Sequence, residues 1–305
     1  MTITEAQVEA ADNAAREAAA RAGVRIRELA ELPDLAAACA LFDQIWQPGP
    51  GGQSPLHAEL LRALTKAGNY ASGAYDAASG DLIGACMGFF GPPTEASLHS
   101  HIAGVLPAAL RRAVGFALKV HQRAWCLHRG VRTMHWTFDP LIRRNAYFNL
   151  VKLRARPAEY LPNFYGAMND SINGSAETDR MLVHWDLLSD AAVAACAGRP
   201  GPASAATERA RGAVVALGRE ADGWPSASPF GMWGAEGLPA ASRTVLVAVP
   251  PDIEGMRWTD PRCAAAWRTA LRAALAPLMG RGATVPGFDR DGWYVASLDA
   301  QEGAS

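Results

Sequence analysis

The stretch that most constrains this chain is GVLPAALRRAVG, residues 104–115, where an apolar strand pattern ends at Pro107 and amphipathic helix spacing begins at once. A strand that runs straight into a helix presents the helix's unpaired N–H groups at the strand end, where they favour an anion. Ala113 and Gly115 are small where the helix first turns, which leaves backbone N–H groups open to approach, and Arg111 and Arg112 add formal charge beside the dipole. Leu110, Val114, Ala117, Leu118 and Trp125 form an apolar stripe with Arg111, Arg112, Lys119 and Arg123 off it, a pattern that an ordinary amphipathic helix also satisfies. From 97 to 155 the order reads strand, tight turn, helix, strand, capped helix.

The rest of the chain supports a mixed α/β reading. Residues 4–22 are Ala-rich with interleaved Glu and Arg and carry nothing bulky, so they predict an N-terminal helix that packs on another body, for which a second subunit of a homodimer is one candidate. VRIREL (24–29) alternates as a strand, and Asp34 is placed to cap a helix through Leu35, Ala38, Phe42 and Ile45. QPGPGGQSP (47–55) is an irregular loop, LHAELLRALTKAG a helix, and NYASGAYDA with DLIGACMGFFG a hairpin. ARPAEYLPNFYGAM reads as proline-interrupted, SINGSAETD as a loop, and MLVHWDLL as a strand. The expected organisation is a helix at 1–22, a main domain at 23–189, an Ala/Gly/Pro-rich connector at 190–243 with one short strand at AVVAL, and a C-terminal βαβ unit at 244–305 packed on the main domain.

Composition excludes several function classes. The 305 residues carry 29 Lys and Arg against 30 Asp and Glu, a net charge of −1, so no global field draws nucleic acid or an acidic membrane. Five scattered cysteines show no metal-like spacing and suit reduced core positions, and no metal site is expected. The N-terminus lacks a basic region followed by an apolar run, and no apolar window reaches the roughly 20 residues of a membrane span, so a cytoplasmic location is expected. A dinucleotide-binding GxGxxG is absent from the sequence.

The corner resembles the cofactor motif of the GNAT superfamily, the acyl-CoA-dependent N-acyltransferases. That motif runs V, x, P, two residues, R or Q, two residues, G, x, and G or A, and Val105, Pro107, Leu110, Ala113 and Gly115 fall in its register. Leu110 stands where Arg or Gln is usual, and Ala113 replaces the first glycine. The similarity continues through HWTFDPLIRRNAYFNLVKLRA and NFYGAMNDSINGSAETDRMLVHWDL, covering roughly residues 70–188.

The resemblance implies a GNAT fold, a mixed central sheet with splayed strands flanked by helices, and acetyl-CoA or another acyl-CoA as co-substrate. It implies that Val105, Arg111, Arg112, Ala113, Val114, Gly115 and Asn145 contact the cofactor, with a backbone N–H near Val105 polarising the thioester carbonyl. The acceptor it implies is a small-molecule amine attacking the thioester directly; the alternative is a CoA-binding protein of regulatory role with little chemistry. The family's tyrosine acid is replaced by Leu150, so Tyr147, one helical turn earlier, is the substitute, with Asn149 or an acid from elsewhere also open. His99 and His101 share a face of the strand entering the motif, and His135 follows on the next strand. Any of them suits a base, with His101 chosen, and each is equally a packing histidine. Asp139 is first an N-cap for a helix at 141–153 and second an acceptor-facing carboxylate. Trp136, Tyr160, Asn163 and Tyr165 are candidate pocket walls, of which Trp136, Asp139 and Tyr165 are the chosen substrate contacts.

Overall fold

The computed structural model describes residues 2–47, 54–166, 177–201, 203–227 and 243–298. The chain forms two compact units, one built from residues 1–136 and 185–199, the other from 137–184 and 200–298 among the described residues. The divide falls inside a strand at Trp136, not at the composition shift near residue 190. Most of the loop expected at 47–55, most of SINGSAETD and residues 202 and 228–242 of the connector lie outside the described residues.

In the N-terminal unit, α1 (Glu5–Ala22) is opened by a capping box in which Thr4 and Gln7 bond each other's backbone N–H. Its buried face is Ala11, Ala15, Ala18 and Ala22, and small side chains let it lie close on α4 (Val114–His128). The helix therefore packs on its own unit. β1 (Val24–Glu28), β2 (Tyr70–Asp76), β3 (Leu82–Phe90) and β4 (Ser97–Val105) form an antiparallel run, which β5 (Thr133–Phe138) joins in parallel beside β4. α2 (Leu32–Trp46) and α3 (Ala58–Lys66) pack on this sheet through Leu35, Phe42 and Leu61. A Cβ on Gly104 would meet Ile45 and Trp46 of α2, whereas one on Gly84 would meet Val114 and Leu118 of α4, so the two helical layers cover opposite faces. Asp34 does not cap α2: that helix starts at Leu32 with Pro33 in its first turn, and Asp34 pairs with Arg27 at 2.9 Å.

The C-terminal unit holds a second sheet that the composition hides. α5 (Arg143–Tyr147) runs into a π-turn at Phe148–Lys152. β6 (Arg156–Leu161) pairs antiparallel with β7 (Arg180–Asp186), so the proline-interrupted segment is a strand, bulged next to Pro157. The Ala/Gly/Pro-rich region supplies α6 (Asp190–Cys196), α7 (Ala205–Ala210), β8 (Val214–Arg219) and β9 (Pro225–Ala227). β8 and β9 join β10 (Thr244–Ala248), β11 (Thr284–Asp289) and β12 (Trp293–Ser297) in the order β11-β12-β10-β8-β9. Between β10 and β11 lie α8 (Ile253–Thr259) and α9 (Pro261–Gly280). The expected βαβ is thus a five-stranded sheet whose last two strands are a hairpin around Asp289–Gly292, and two of its strands come from the supposed connector.

Candidate active site

β4 carries the central geometry. Its pairing with β5 is recorded only for Ser97–His99 against Thr133–His135, while β4 continues to Val105 along β3. Leu106 donates its N–H to the Ile83 carbonyl at 2.9 Å, so the N–H of Val105, one residue back, points to the opposite edge. That edge is the one from which β5 has departed. A backbone donor facing a gap between parting strands is suited to a carbonyl oxygen on which negative charge develops.

After Val105 the chain makes a single 3₁₀ turn at Pro107–Ala109, and α4 begins only at Val114. The helix therefore does not start at Pro107, and Arg111 and Arg112 belong to the turn before it. Arg111 (φ +71°) and Ala113 (φ +61°) are both left-handed, a conformation that bends the backbone sharply into the helix. The first helical bond is Ala117 N–H to Ala113 O at 3.0 Å, so the N–H groups of Val114, Gly115 and Phe116 lie outside the ladder. A Cβ on Gly115 would meet nothing closer than Val105 Cγ2 at 3.8 Å, so the space before this helix end is open.

The expected cofactor residues differ in their availability. Arg112 forms an ion pair with Asp76 at 2.7 Å and bonds the Gly23 carbonyl at 3.3 Å, tying the corner to the β2 end. Hydrogen bonds from the Ser79 N–H, the Arg112 side chain and the Ala78 N–H hold the Asp76 carboxyl down to about 2. Leu110 is 56% exposed, and Arg111 stays on the surface of the turn. Asn145, in the C-terminal unit, is half-buried on α5.

On the α2 side of β4, His99, His101 and His135 gather around Phe89. Ring centroids stand 5.2 Å apart for His99 and His135, 6.0 Å for His99 and His101, and 5.7 Å for Phe89 and His101. A bulge contributes to this: Met87 faces Ile102 and Gly88 faces Ser100, which leaves His101 as the extra residue of β4. Burial, then the neighbouring His135 and His101, brings the His99 pKa down to about 4, and partial burial lowers that of His101. Both are therefore neutral near pH 7 and able to accept a proton. The sequence had placed His99 and His101 on one face, but the bulge that isolates His101 and the contribution of Phe89 carry no sequence signal.

The opposite face corrects two expectations. Trp136 is buried, 6.0 Å edge-on to Trp185 and with the Lys119 ammonium 4.0 Å from its ring, so it is a core residue of the N-terminal unit and lines no acceptor pocket. Lys119 and Arg123, which fall off the apolar stripe, are buried as well, Lys119 turned onto β4 and β5 and Arg123 onto Leu187 after β7. Lys119 donates to Ser100 Oγ at 2.6 Å, and Arg123 to the Leu187 carbonyl at 2.8 Å.

In the C-terminal unit, Asp139 neither caps a helix nor faces an acceptor. It accepts the Leu141 N–H at 3.0 Å, α5 starts later at Arg143, and its carboxylate is buried among Arg257, Arg268 and Arg180. Burial opposes its charge, but Arg268, Arg257 and Arg180 outweigh it and hold the carboxyl far below the usual range. Tyr160 and Asn163 are structural too: the Tyr160 hydroxyl donates to Asp179 at 2.7 Å, and Asn163 bonds Asp179 and Thr178. Tyr165 is exposed, with its hydroxyl 3.1 Å from Thr137 Oγ1. Tyr147 is half-buried with the Arg290 guanidinium 5.7 Å from its ring, and Leu150 is 1% exposed inside the π-turn.

Comparison with known proteins returns no matching family model and no matching curated protein. Among solved structures, the chain is similar to an N-acetyltransferase from Staphylococcus aureus at 17% identity and a TM-score of 0.45, covering 54% of this chain and 98% of that one. It is also similar to the ribosomal-protein-S18-alanine N-acetyltransferase from Escherichia coli (15% identity, TM-score 0.43, 54% of this chain and 94% of that one). A third similarity is to the ribosomal-protein-alanine N-acetyltransferase from Brucella melitensis (15% identity, TM-score 0.43, 53% and 99%). These acetyltransferases resemble the chain over about half its length. No helix among the described residues is long and apolar enough to cross a membrane, and no group of three or more His, Cys, Asp and Glu among them is placed to hold a metal ion.

Proposed function

We propose that the chain is an acyl-CoA-dependent N-acyltransferase that moves an acetyl group to the amine of a small molecule. The observation that carries this reading is the Val105 N–H, unpaired among the described residues, on the edge from which β5 parts, followed directly by the left-handed turn and the open end of α4. A thioester carbonyl set on the Val105 N–H is polarised, and its oxyanion is stabilised as the amine attacks. The N–H groups of Val114, Gly115 and Phe116 receive the pyrophosphate, with Arg111 as the nearby cation free of the Asp76 pair. Arg112 acts on the cofactor through the position of the turn.

The amine nitrogen forms a bond to the carbonyl carbon, the carbon–sulfur bond breaks, and CoA leaves as a thiolate. His101 accepts the proton that the amine loses, with His99 and His135 beside it, and the thiolate takes up a proton from water as it leaves. No covalent enzyme intermediate is required, so the contribution of the protein is positioning and proton transfer.

A second reading, a CoA-binding protein without efficient turnover, is favoured by Leu150, buried where the family places its acid, and by the exposed Leu110. One experiment separates the two. The purified protein is incubated with acetyl-CoA and a broad panel of primary amines, thiol release is followed with a trapping dye, and CoA affinity is measured by calorimetry in parallel. Amine-dependent CoA release supports the transferase. Binding without release supports the second reading, and absence of CoA binding overturns both.

A further inference from the structure

The C-terminal unit contains a cleft of about 550 Å³, between α5 with its π-turn and the segment at 251–254 together with Arg290. That volume falls in the range of small-molecule sites, roughly 300–1,000 Å³. Its lining is unusual for a chain of net charge −1: Arg143, Arg144, Lys152 and Arg290 face only Asp252 and Glu254.

The partners of these groups are unevenly distributed. Arg144 pairs with Glu254 at 2.8 Å, and Asp252 is used to cap α8 through the Gly255 N–H at 2.9 Å. Arg143 donates to the Arg290 carbonyl at 2.9 Å and reaches the exposed Asp291 at 3.8 Å. Lys152 and the Arg290 guanidinium therefore hold two positive charges with no carboxylate partner among the described residues. Arg290 lies instead against the Tyr147 ring, and Phe148 continues that aromatic wall. Two spare cations match a dianion, and adjacent aromatic faces match a planar ring.

We propose that this cleft binds a small phosphorylated molecule carrying a planar ring, with the phosphate between Lys152 and Arg290 and the ring against Tyr147 and Phe148. The proposal does not rest on the acyl-transfer reading: its residues belong to the C-terminal unit, and those of the proposed donor cradle to the N-terminal one. A phosphate on a ring has two sources, a free phosphomonoester or the nucleotide end of CoA, and competition tells them apart.

The test is calorimetric titration of the full chain with phenyl phosphate, adenosine monophosphate, inorganic phosphate and benzoate. Both phosphomonoesters are expected to saturate one site, with inorganic phosphate and benzoate at least tenfold weaker, and saturating CoA is expected to leave the phenyl phosphate isotherm unchanged. The exposed pair Lys152→Ala and Arg290→Ala should weaken phenyl phosphate at least tenfold with an unchanged melting curve. Tyr147→Phe should keep the affinity, because the ring and not the hydroxyl is used. No saturable binding, equal binding of inorganic phosphate, full affinity in the double variant, or displacement by CoA would each overturn the proposal. Calorimetry with CoA alone tests the acyl-transfer reading independently of all four.

Discussion

Lys119 holds its ammonium 4.0 Å from the centroid of the Trp136 ring, inside the N-terminal unit, with hydroxyl and amide partners in place of a carboxylate. Desolvation lowers its pKa to about 8, against weak opposition from Cys86 and Cys126. The folded state thus binds this proton less well than the unfolded chain, whose lysines titrate near ~10.4. The penalty is full below pH 8, shrinks as pH rises through the window from 8 to about 10.4, and vanishes above it. Lys119→Met is expected to raise stability at pH 7 by a few kcal/mol at most and to flatten the rise in melting temperature across that window, which thermal melts at pH 7 to 10.5 measure.

The Asp139 cluster makes the opposite prediction. A carboxylate whose pKa is depressed in the folded state stabilises above its unfolded value, near ~3.9, and loses that contribution as pH falls through the folded one. Asp139→Ala leaves Arg257, Arg268 and Arg180 without their shared anion in a buried site. The expected cost is about 3–5 kcal/mol in denaturant midpoint, with most of the loss of the wild-type advantage below pH 4. A variant of native stability with a raised KM for the amine would show that Asp139 touches substrate instead.

Much of this was legible because local patterns were strong. The strand ending at Val105 and the helix after it follow from apolar periodicity, although α4 starts at Val114 and not at Pro107, and the Ala-rich composition of residues 4–22 was enough for α1. What escaped was set by partners distant in sequence. Lys119 and Arg123 look solvent-facing until Ser100, Trp136 and Leu187 supply their partners, and Asp139 looks like a cap until Arg257 and Arg268, more than a hundred residues later, close on it. β8 was legible as the short strand at AVVAL, but the sheet it joins was not: Gly, Pro and Ser around β8 and β9 mimic a linker, and β10, the neighbour that ties β8 into the sheet, comes only afterwards.

Ala113 occupies a left-handed position, φ +61°, at the entry to α4, outside the helix ladder that would tolerate alanine. A Cβ there costs roughly 1–2 kcal/mol, and glycine gives back about half of the gain in unfolded-chain entropy. Ala113→Gly is expected to stabilise the protein by up to about 1 kcal/mol and to leave CoA affinity intact, as read from chemical denaturation and calorimetry.

Gly115 is the complementary case, since its φ is ordinary and a Cβ would find Val105 Cγ2 only at 3.8 Å. Gly115→Ala should be neutral or slightly stabilising, by up to about 1 kcal/mol. Gly115→Trp fills the space before the helix end and should weaken CoA at least tenfold while the melting temperature stays within a few degrees. Unchanged CoA affinity in the tryptophan variant would remove the pyrophosphate from this corner.

His101 tests the proton path. Partial burial lowers its pKa, and the groups around it among the described residues, Phe89 and His99 with His135 behind, include no carboxylate that would restore it. As base it must be neutral, so kcat/KM should rise with pH along a limb centred below the ordinary histidine value near ~6.5, distinct from the higher limb set by the amine substrate. His101→Gln keeps a polar side chain of similar length but no basic nitrogen. It should cost about 10²-fold or more in kcat and abolish the lower limb, with KM for acetyl-CoA nearly constant. If the lower limb survives in His101→Gln and disappears in His99→Gln, the base is the more deeply buried ring, whose pKa of about 4 would move that limb well into the acid range.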